Sequence, residues 1–451
     1  MPKFLDLFVN EIHKKRSRLK EKLEKGQVST LDSEFKNLLI KNWHPLPERE
    51  TTDASLVAVD GSRAVREYAN GSRFYVVRAF GLSNTGQKSR ALETEVFLSR
   101  GNEQSIRSYI SQKTELVETR LALEAIPHLA GSKKLILIDG SLFGRMMHLL
   151  RDSPVEGDRA LLLQYVDTYS RLLETCKSQN VLLLGVSKDS RADFVRALLL
   201  EQICQNELRS LSASLTPKEI RELKNCVEKI ADNPAVSFGI LKRLREKYGS
   251  ILDGFEEVLV ECIHSRPDFQ LILNFASEPG YCTPVELAAT KDFQRDLKIM
   301  AKNPESFVRR RFKKALVENR HREDEFLRYA TDVINRLLKF PTVVSFHLLF
   351  DNRDTPLRMD VPSWALTSEN QLSNLKENRF VKDDKGSLEE LIGILKANYA
   401  GLLDYNVWLK RVDEEVKLHL KDVDTIYERV LEKELGLTLI HTRGYRRVKY
   451  P

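Results

Sequence analysis

The sequence has few cysteines and no long apolar segment. Its five cysteines form no Cys-x-x-Cys pair and lie near no histidine at zinc-finger spacing, so neither a structural zinc site nor a disulfide framework is expected. No apolar run approaches the length that spans a bilayer, and residues 1–26 form a charged amphipathic pattern without a signal-peptide core. We therefore expect a cytoplasmic protein that does not associate with a membrane.

The chain also lacks the patterns that most directly indicate a motor or a repeat protein. It contains no G-x-x-x-x-G-K-[ST] motif, no repeat of fixed period and no low-complexity segment. The missing motif excludes a P-loop, so an ATP-driven motor working with this protein would have to be a separate chain.

The charges are almost balanced, but the basic residues are concentrated in two tracts. The sequence has 72 Lys and Arg against 65 Asp and Glu, a net charge of +7 that permits nucleic acid binding without requiring it. Residues 308–322 contain seven Arg or Lys and one Glu, and residues 441–451 interleave basic residues with two tyrosines. Each tract could hold single-stranded nucleic acid, or could be a solvated helix face and a frayed tail.

The patterning of residues 51–191 is typical of an α/β fold, because short apolar runs alternate with helical periodicity. The predicted order is strand 56–60, strand 73–82, strand 91–99, helix 103–129, strand 134–139, helix 158–179 and strand 180–187.

The rest of the chain is predicted to extend this sheet and to interrupt it. Residues 1–50 are predicted as a helical segment, and residues 192–339 as a long helical insertion with few strands. Residues 340–451 begin with a hairpin centred on "DNRD" and end with closing helices and a basic tail. Together with residues 51–191, they are expected to form one mixed sheet flanked by helices.

Asp-Gly-Ser occurs twice directly after a short apolar run, at Asp60 and at Asp139. Asp and Gly are common where a strand ends, so turn chemistry explains either motif alone. Two neighbouring buried strands would, however, bring both carboxylates to the carboxyl edge of the sheet, where open α/β sheets bind ligands. The pair therefore predicts a ligand site.

A third carboxylate is predicted on the buried side of helix 103–129. At 100° per residue, Glu118 falls beside Leu121 in the middle of the apolar face, whereas Glu124 points to the other side. An unpaired carboxylate in such a position is strongly disfavoured, so Glu118 needs a partner.

Two kinds of partner are possible for Glu118. A metal ion shared with Asp60 and Asp139 would supply one, and a buried salt bridge, for example to Arg63, is the alternative. Glu115 borders the same helix face and is the other candidate for the helix ligand.

The fourth candidate is Asp413, which follows Leu409 and Val412 on the apolar side of a late helix. In isolation, Asp413 is typical of a helix-surface acid. After a strand Asp, a helix Glu and a second strand Asp, it completes the order of acids found in RNase H-like nucleases. Such hard ligands bind Mg²⁺ or Mn²⁺, and two ions about 3.5–4 Å apart can activate water and stabilise the leaving oxygen of a phosphodiester.

Several segments together resemble the NurA nucleases, over residues 55–190 and 340–420. These segments are VAVDGSRAV, the helix that carries Glu118, LILIDGSL, LLLGVSKDS, PLRMDVP, and the pattern Y-x-x-x-L-x-x-V-D from Tyr405 to Asp413.

The resemblance implies a fold and an activity. The fold is an RNase H-like core similar to Argonaute PIWI domains. The activity is Mn²⁺-dependent cleavage of DNA, with Mg²⁺ as the other candidate cofactor, as a 5′ to 3′ exonuclease and an endonuclease. Family members act as homodimers on a hexameric HerA-type ATPase in DNA end resection during double-strand break repair.

The resemblance also implies roles for individual residues. Asp60, Glu118, Asp139 and Asp413 look like metal ligands, and Tyr405 matches a tyrosine near the site. Relatives often carry His at the position of Asp413, although Asp is an ordinary RNase H-like ligand.

Three basic residues are candidate DNA contacts. Lys188 follows a predicted strand on the same side as Asp139, and Arg358 lies in PLRMDVP; each could contact a phosphate or be an ordinary surface residue. Arg63 is the third candidate. His347 alternates with apolar residues and is predicted as a core histidine rather than a ligand.

Apolar residues of the first helix could dock a partner, or could pack on their own domain; they are Phe4, Leu5, Leu7, Phe8 and Ile12. Two other functions compete with the nuclease. A catalytically silent DNA-binding adaptor of a translocating ATPase would have no need of converging carboxylates. An actin-like or sugar-kinase-like phosphotransferase would place a residue between Asp and Gly and would add a Gly-rich adenosine loop, and the sequence has neither.

Overall fold

The computed structural model describes residues 4–25, 28–48, 54–99, 101–188, 190–367 and 369–441. The chain divides into two compact units, of which the smaller comprises Met1–Trp43 and Ser190–Ser277, and the larger comprises His44–Asp189 and Glu278–Pro451. The four segments proposed from the sequence, with bounds at 50, 191 and 339, stay a prediction.

The strands, in chain order, are β1 (Trp43–Pro45), β2 (Ser55–Glu67), β3 (Arg73–Ser83), β4 (Lys88–Phe97), β5 (Lys134–Asp139), β6 (Val181–Ser187), β7 (Gly280–Cys282), β8 (Val285–Leu287), β9 (Val343–Leu349), β10 (Leu357–Pro362) and β11 (Arg379–Phe380).

The helices are α1 (Leu5–Lys25), α2 (Asp32–Lys41), α3 (Glu103–Ala125), α4 (Leu142–Met146), α5 (Leu161–Ser178), α6 (Phe194–Leu211), α7 (Pro217–Lys229), α8 (Pro234–Tyr248), α9 (Asp253–Ile263), α10 (Asp268–Phe275), α11 (Lys291–Lys302), α12 (Pro304–Arg311), α13 (Lys313–Glu318), α14 (Glu323–Leu337), α15 (Ser387–Ala397), α16 (Val407–Val416), α17 (Leu420–Asp422) and α18 (Glu428–Leu435). Short 3₁₀ segments and one π-helical turn, Val423–Tyr427, complete the helical elements. None of the helices in the described ranges combines the length and the apolar character that crossing a bilayer requires.

The sheet is mixed, as the sequence predicts. The strands are ordered β1-β7-β9-β10-β6-β5-β2-β3-β4, and β8 joins β9 from outside this path. At the centre, β5 pairs in parallel with β2 and with β6, whereas β3, β4, β9 and β10 pair in antiparallel fashion. Strands β5 and β6 are almost wholly apolar and buried, as expected for parallel strands covered on both faces.

The predicted end of the first strand at residue 60 is wrong. Pairing of β2 with β5 stops at Val59 opposite Ile138, but pairing with β3 continues to Glu67 opposite Arg73. Asp60 therefore does not end a strand. It lies at the point where β2 stops pairing with β5 and continues to pair with β3.

Helices α3 and α16 pack on opposite faces of β2 and β3. A Cβ built on Gly61 or on Gly81 would meet side chains of α3, so these residues face α3. Ser62 and Arg78 lie on the other face by strand alternation, and both bond to the backbone at the end of α16. The sheet thus brings two helices to the same pair of strands from opposite sides.

The hairpin predicted around "DNRD" is formed by β9 and β10, which pair from Leu357 opposite Leu348 to Pro362 opposite Val343. His347 is buried in β9, with Nδ1 3.9 Å from the Sγ of Cys282. Burial lowers the pKa of His347 to about 3, so the ring is neutral, as expected for a core histidine.

Two glycines allow the turn after β5 to pack against β6. Gly140 has φ of +105°, a conformation that favours glycine, and its N–H donates to the carbonyl of Val186. A Cβ on Gly185 would lie 2.6 Å from the carbonyl oxygen of Gly140 and 2.9 Å from the nitrogen of Leu142. The turn can therefore approach β6 only because residue 185 has no side chain.

Gly185→Ala should destabilise the protein by about 1–3 kcal/mol, because backbone atoms of the turn must move to admit the methyl group. Gly239→Ala is the matched control: Gly239 lies in α8, where a Cβ would meet nothing within 4 Å, and the same change should stabilise by up to about 1 kcal/mol. Urea unfolding followed by circular dichroism measures both. Equal stability of Gly185→Ala and wild type would contradict the predicted clash.

Candidate functional site

Three carboxylates from separate elements converge at the carboxyl edge of the central strands. One oxygen of each of Asp60, Asp139 and Asp413 lies within 4.8 Å of the others. Asp139 is the last residue of β5, Asp60 lies beside it on β2, and Asp413 comes from α16. The parallel pairing of β2 and β5 explains why the two strand residues meet at one edge.

The cluster concentrates negative charge where water is partly excluded. Burial, followed by repulsion from Asp139 and Glu118, raises the pKa of Asp60 to about 7, although the Gly61 N–H donates to Asp60 Oδ1 at 2.8 Å. Hard anionic oxygens that repel one another suit a divalent cation, which would relieve the repulsion and displace a proton from Asp60. The donor set therefore fits Mg²⁺ or Mn²⁺.

Successive residues of the first Asp-Gly-Ser face opposite sides of β2: Gly61 faces α3, and Ser62 faces α16. Gly61 leaves room for α3, because a Cβ there would lie 2.3 Å from Glu118 Oε1. The hydroxyl of Ser62 accepts a hydrogen bond from the N–H of Leu418, just beyond α16, at 2.9 Å. The motif thus supplies a carboxylate, a gap for Glu118 and an attachment for the helix that carries Asp413.

The second Asp-Gly-Ser starts a buried polar network. Ser141 caps α4 by accepting from the Gly144 N–H at 2.9 Å, and its hydroxyl donates to Asp360 Oδ2 at 2.7 Å. Asp360 is fully buried and also binds the guanidinium of Arg358 through both oxygens. These contacts fix the turn that follows Asp139.

The position of α16 is set at both of its ends. Asn406 caps the start by accepting from the N–H groups of Trp408 and Leu409, both at 3.1 Å. At the other end, the Arg78 guanidinium donates to the carbonyls of Val416 at 2.7 Å and Lys417 at 2.6 Å. A cation at the carboxyl end of a helix is favourable, and here it also holds α16 against β3.

Glu118 lies beside the cluster, and its charge is balanced by a buried arginine. Its Oε2 accepts from Arg145 of α4, which also donates to the carbonyl of Asp139 at 3.2 Å. Burial raises the pKa of Glu118, and Arg145 opposes that rise. Burial alone would lower the pKa of Arg145, but Glu118 and Glu115 outweigh it and hold the pKa above its usual value.

Glu115 points away from the cluster. Its Oε2 accepts from the hydroxyl of Tyr165 at 3.1 Å and lies 2.7 Å from His148 Nε2. Burial tends to raise its pKa, but its hydrogen bond with His148 and the charge of Arg145 give a net lowering. Glu118, rather than Glu115, is therefore the carboxylate of α3 that lies against Gly61 of β2, although it is not one of the three carboxylates within 4.8 Å of one another.

A lysine and a tyrosine lie on the side of the cluster near β6. Lys188 Nζ is 2.9 Å from Asp139 Oδ2 and 4.7 Å from the ring centroid of Tyr405. Burial would lower the pKa of Lys188, but Asp139 raises it overall. Burial, and then Asp139, raise the pKa of Tyr405 above its usual value.

Two of the predicted DNA contacts lie in different surroundings. Arg358 is 5% exposed and bonded to Ser345, Ser141 and Asp360, so it belongs to the buried network. Arg63 is exposed on β2. The contact of both arginines with DNA stays a prediction.

The two basic tracts differ in what the structure describes. Residues 308–322 form the end of α12, all of α13 and a 3₁₀ turn, in which Arg309 pairs with Glu305 and Glu323, and Arg311 pairs with Asp296. Of the tract at 441–451, residues 442–451 lie outside the described residues.

Three residues that support the site were not found from the sequence: Arg78, Arg145 and Asp360. The apolar position of Glu118 predicts a cationic partner, but Arg63, the partner suggested by the sequence, is exposed. Arg145 comes six residues after Asp139, on the short helix α4, from which its side chain reaches Glu118 of α3. That spacing could have indicated it, whereas Arg78 and Asp360 have no local signal.

Two sequence comparisons identify the same family. The family model of the NurA domain matches residues 54–418. The DNA double-strand break repair nuclease NurA of Pyrococcus furiosus is 26% identical over 234 residues, which cover 51% of this chain and 43% of that protein. The match thus spans less than half of the length of this curated relative.

One solved structure of a NurA nuclease shows the same fold. The crystal structure of the NurA nuclease from Sulfolobus solfataricus superposes with a TM-score of 0.53 at 15% identity, over 97% of this chain and 98% of that one. A crystal structure of NurA bound to dAMP and manganese matches with a TM-score of 0.45 at 15% identity, over 93% and 97% of the two chains. Because the family model covers most of the sequence, the chain belongs to the NurA family.

Proposed function

We propose that this protein is a metal-dependent DNA nuclease that hydrolyses phosphodiester bonds at the cluster of Asp60, Asp139 and Asp413. The observation that carries the proposal is the convergence of these carboxylates within 4.8 Å at one edge of the sheet. Membership of the NurA family supports the reaction class, as does the name of the Pyrococcus relative, a DNA double-strand break repair nuclease.

The proposed cofactor is a divalent cation, Mn²⁺ or Mg²⁺, held by the three aspartates with Glu118 as a further ligand. When bound, such ions activate a water molecule and stabilise the leaving oxygen of a phosphodiester. Glu118 is suited to join them because its Oε1 faces Gly61, next to Asp60, while its Oε2 is held by Arg145.

Lys188 and Tyr405 are proposed to face the DNA. The ammonium group of Lys188 lies 2.9 Å from Asp139 Oδ2 on the β6 side of the cluster, where a phosphate would need a counterion. The hydroxyl of Tyr405 is shielded from solvent and interacts with the ammonium group of Lys188, so the two side chains would present a hydroxyl and a positive charge to the same phosphate.

The core of the larger unit is proposed to be RNase H-like and similar to PIWI domains. The support is the order of the carboxylates: β2 and β5 supply aspartates as parallel neighbours, and α3 and α16 cover β2 from opposite faces. A fold of this kind supplies rigid elements to each ligand, which metal ions at fixed separation require.

The biological setting proposed is DNA end resection in double-strand break repair. The protein would act as a homodimer with 5′ to 3′ exonuclease and endonuclease activity, together with a hexameric HerA-type ATPase. The lack of a P-loop in the sequence supports a separate motor. Apolar residues at the start of α1 are exposed, with Phe4 at 73% and Phe8 at 61%, and they are the proposed docking surface.

A silent adaptor subunit accounts less well for the same structure. Three carboxylates held together without a cation repel one another, and the raised pKa of Asp60 reflects that repulsion in addition to burial. A protein that only binds DNA gains nothing from such an arrangement, because the negative charge also repels phosphates.

Asp60→Asn and Asp139→Asn should each lower the cleavage rate of end-labelled single-stranded and duplex DNA at least about 100-fold in Mn²⁺, since each removes an anionic ligand. EDTA should abolish cleavage by the wild type. Glu124→Gln is the control, because Glu124 is exposed on α3, and its rate should equal that of the wild type. Cleavage that persists in Asp60→Asn, or DNA binding without cleavage in any metal, would contradict the nuclease proposal.

Glu118→Gln should weaken Mn²⁺ binding at least about tenfold in titration calorimetry if Glu118 is a ligand. In EDTA, Arg145→Met should destabilise the fold by about 3–5 kcal/mol, because it leaves the carboxylate of Glu118 buried and unpaired. The double variant Glu118→Gln/Arg145→Met should regain part of that loss. Wild-type Mn²⁺ affinity in Glu118→Gln would remove Glu118 from the ligand set.

A further inference from the structure

One carboxylate of the cluster already has a cationic partner. Lys188 Nζ lies 2.9 Å from Asp139 Oδ2, at hydrogen-bond distance, with side-chain exposures of 36% for the lysine and 18% for the aspartate. Neither Asp60 nor Asp413 has an ion-pair partner among the described residues. The lysine therefore offsets charge at one specific ligand of the proposed metal centre.

A second contact keeps the ammonium group at this place. The ring of Tyr405 lies under Lys188, with 4.7 Å between Nζ and the ring centroid. An aromatic face attracts an ammonium group without using its N–H donors for a strong bond. Lys188 can thus give up Asp139 and still stay beside Tyr405 and the cluster, where the donor that Asp139 releases is available to another anion.

We propose that Lys188 competes with the divalent cation for Asp139 and, once the cation holds Asp139, serves as the counterion of the DNA phosphate. This inference rests on the proposed nuclease function. In the absence of metal, Lys188 limits the repulsion among the aspartates. In its presence, an ammonium group so close to a divalent cation is repelled, and a phosphate is the anion that would hold it beside Tyr405.

The proposal predicts effects of opposite sign on two affinities. Removing the charge of Lys188 removes a competitor, so the metal should bind more tightly. The same change removes a phosphate contact, so DNA should bind less tightly when the metal is present. A lysine that only stabilised the fold would not change the two affinities in opposite directions.

Titration calorimetry with MnCl₂ alone, on the full chain without DNA, measures the first effect. Lys188→Met should lower the Kd for Mn²⁺ about two- to fivefold, the range expected for the loss of one partly exposed ion pair. Steady-state cleavage of a single-stranded oligonucleotide at saturating Mn²⁺ measures the second. The KM should rise, and the slope of log KM against log salt concentration should fall by about 0.7, the contribution of one phosphate contact.

Two further variants make the test specific. Lys188→Arg keeps the charge and should restore the KM and its salt slope. Lys177→Met removes a lysine that pairs with Glu369 at 2.6 Å, where both side chains are 47% exposed, and it should change neither affinity.

The possible failures can be told apart. A wild-type protein that binds no Mn²⁺ would overturn the proposed metal centre and, with it, this inference. Mn²⁺ binding by Lys188→Met that is equal to or weaker than that of the wild type would overturn the competition alone. An unchanged KM and salt slope would overturn the phosphate role, and in both of these cases the nuclease proposal would stand.

Discussion

The structure of the site depends on one electrostatic constraint: three carboxylates are held together where water is partly excluded. Asp60, Asp139 and Asp413 approach within 4.8 Å, and the pKa of Asp60 rises to about 7 through burial and through repulsion from its neighbours. Such an arrangement is unfavourable without a cation, so the surrounding fold has to keep it in place. A divalent metal ion would turn this unfavourable charge into a binding site.

The fold meets this constraint by holding each carboxylate on a separate rigid element and by placing cations behind them. Strands β2 and β5 fix two aspartates as parallel neighbours, while Arg78 and Asn406 fix the two ends of α16. Arg145 balances Glu118 on the α3 side, and Lys188 balances Asp139 on the β6 side. The two basic residues differ in exposure, because Arg145 is buried whereas Lys188 is 36% exposed, so only the lysine is free to exchange partners.

The sequence predicted the parts of this arrangement that leave a local signal. Short apolar runs ending in Asp located β5 and its aspartate, and helical periodicity placed Glu118 on a buried face where it needed a cation. The pattern does not identify that cation, because the turn after β5 is what brings Arg145 to Glu118. The predicted end of β2 at residue 60 is wrong, because the strand continues to Glu67 through its pairing with β3. That pairing leaves no local pattern in the sequence of β2. Asp413 alone resembled a surface acid, and only the order of the acids and the family resemblance indicated it.

The most direct test of the account is anomalous diffraction at the manganese edge from crystals of the intact protein grown with MnCl₂. The account predicts an anomalous peak bounded by Asp60, Asp139 and Asp413, with Lys188 Nζ displaced from Asp139. A peak at another place on the chain, or no peak at this cluster at a saturating concentration of Mn²⁺, would contradict the central claim that these three carboxylates form the metal centre.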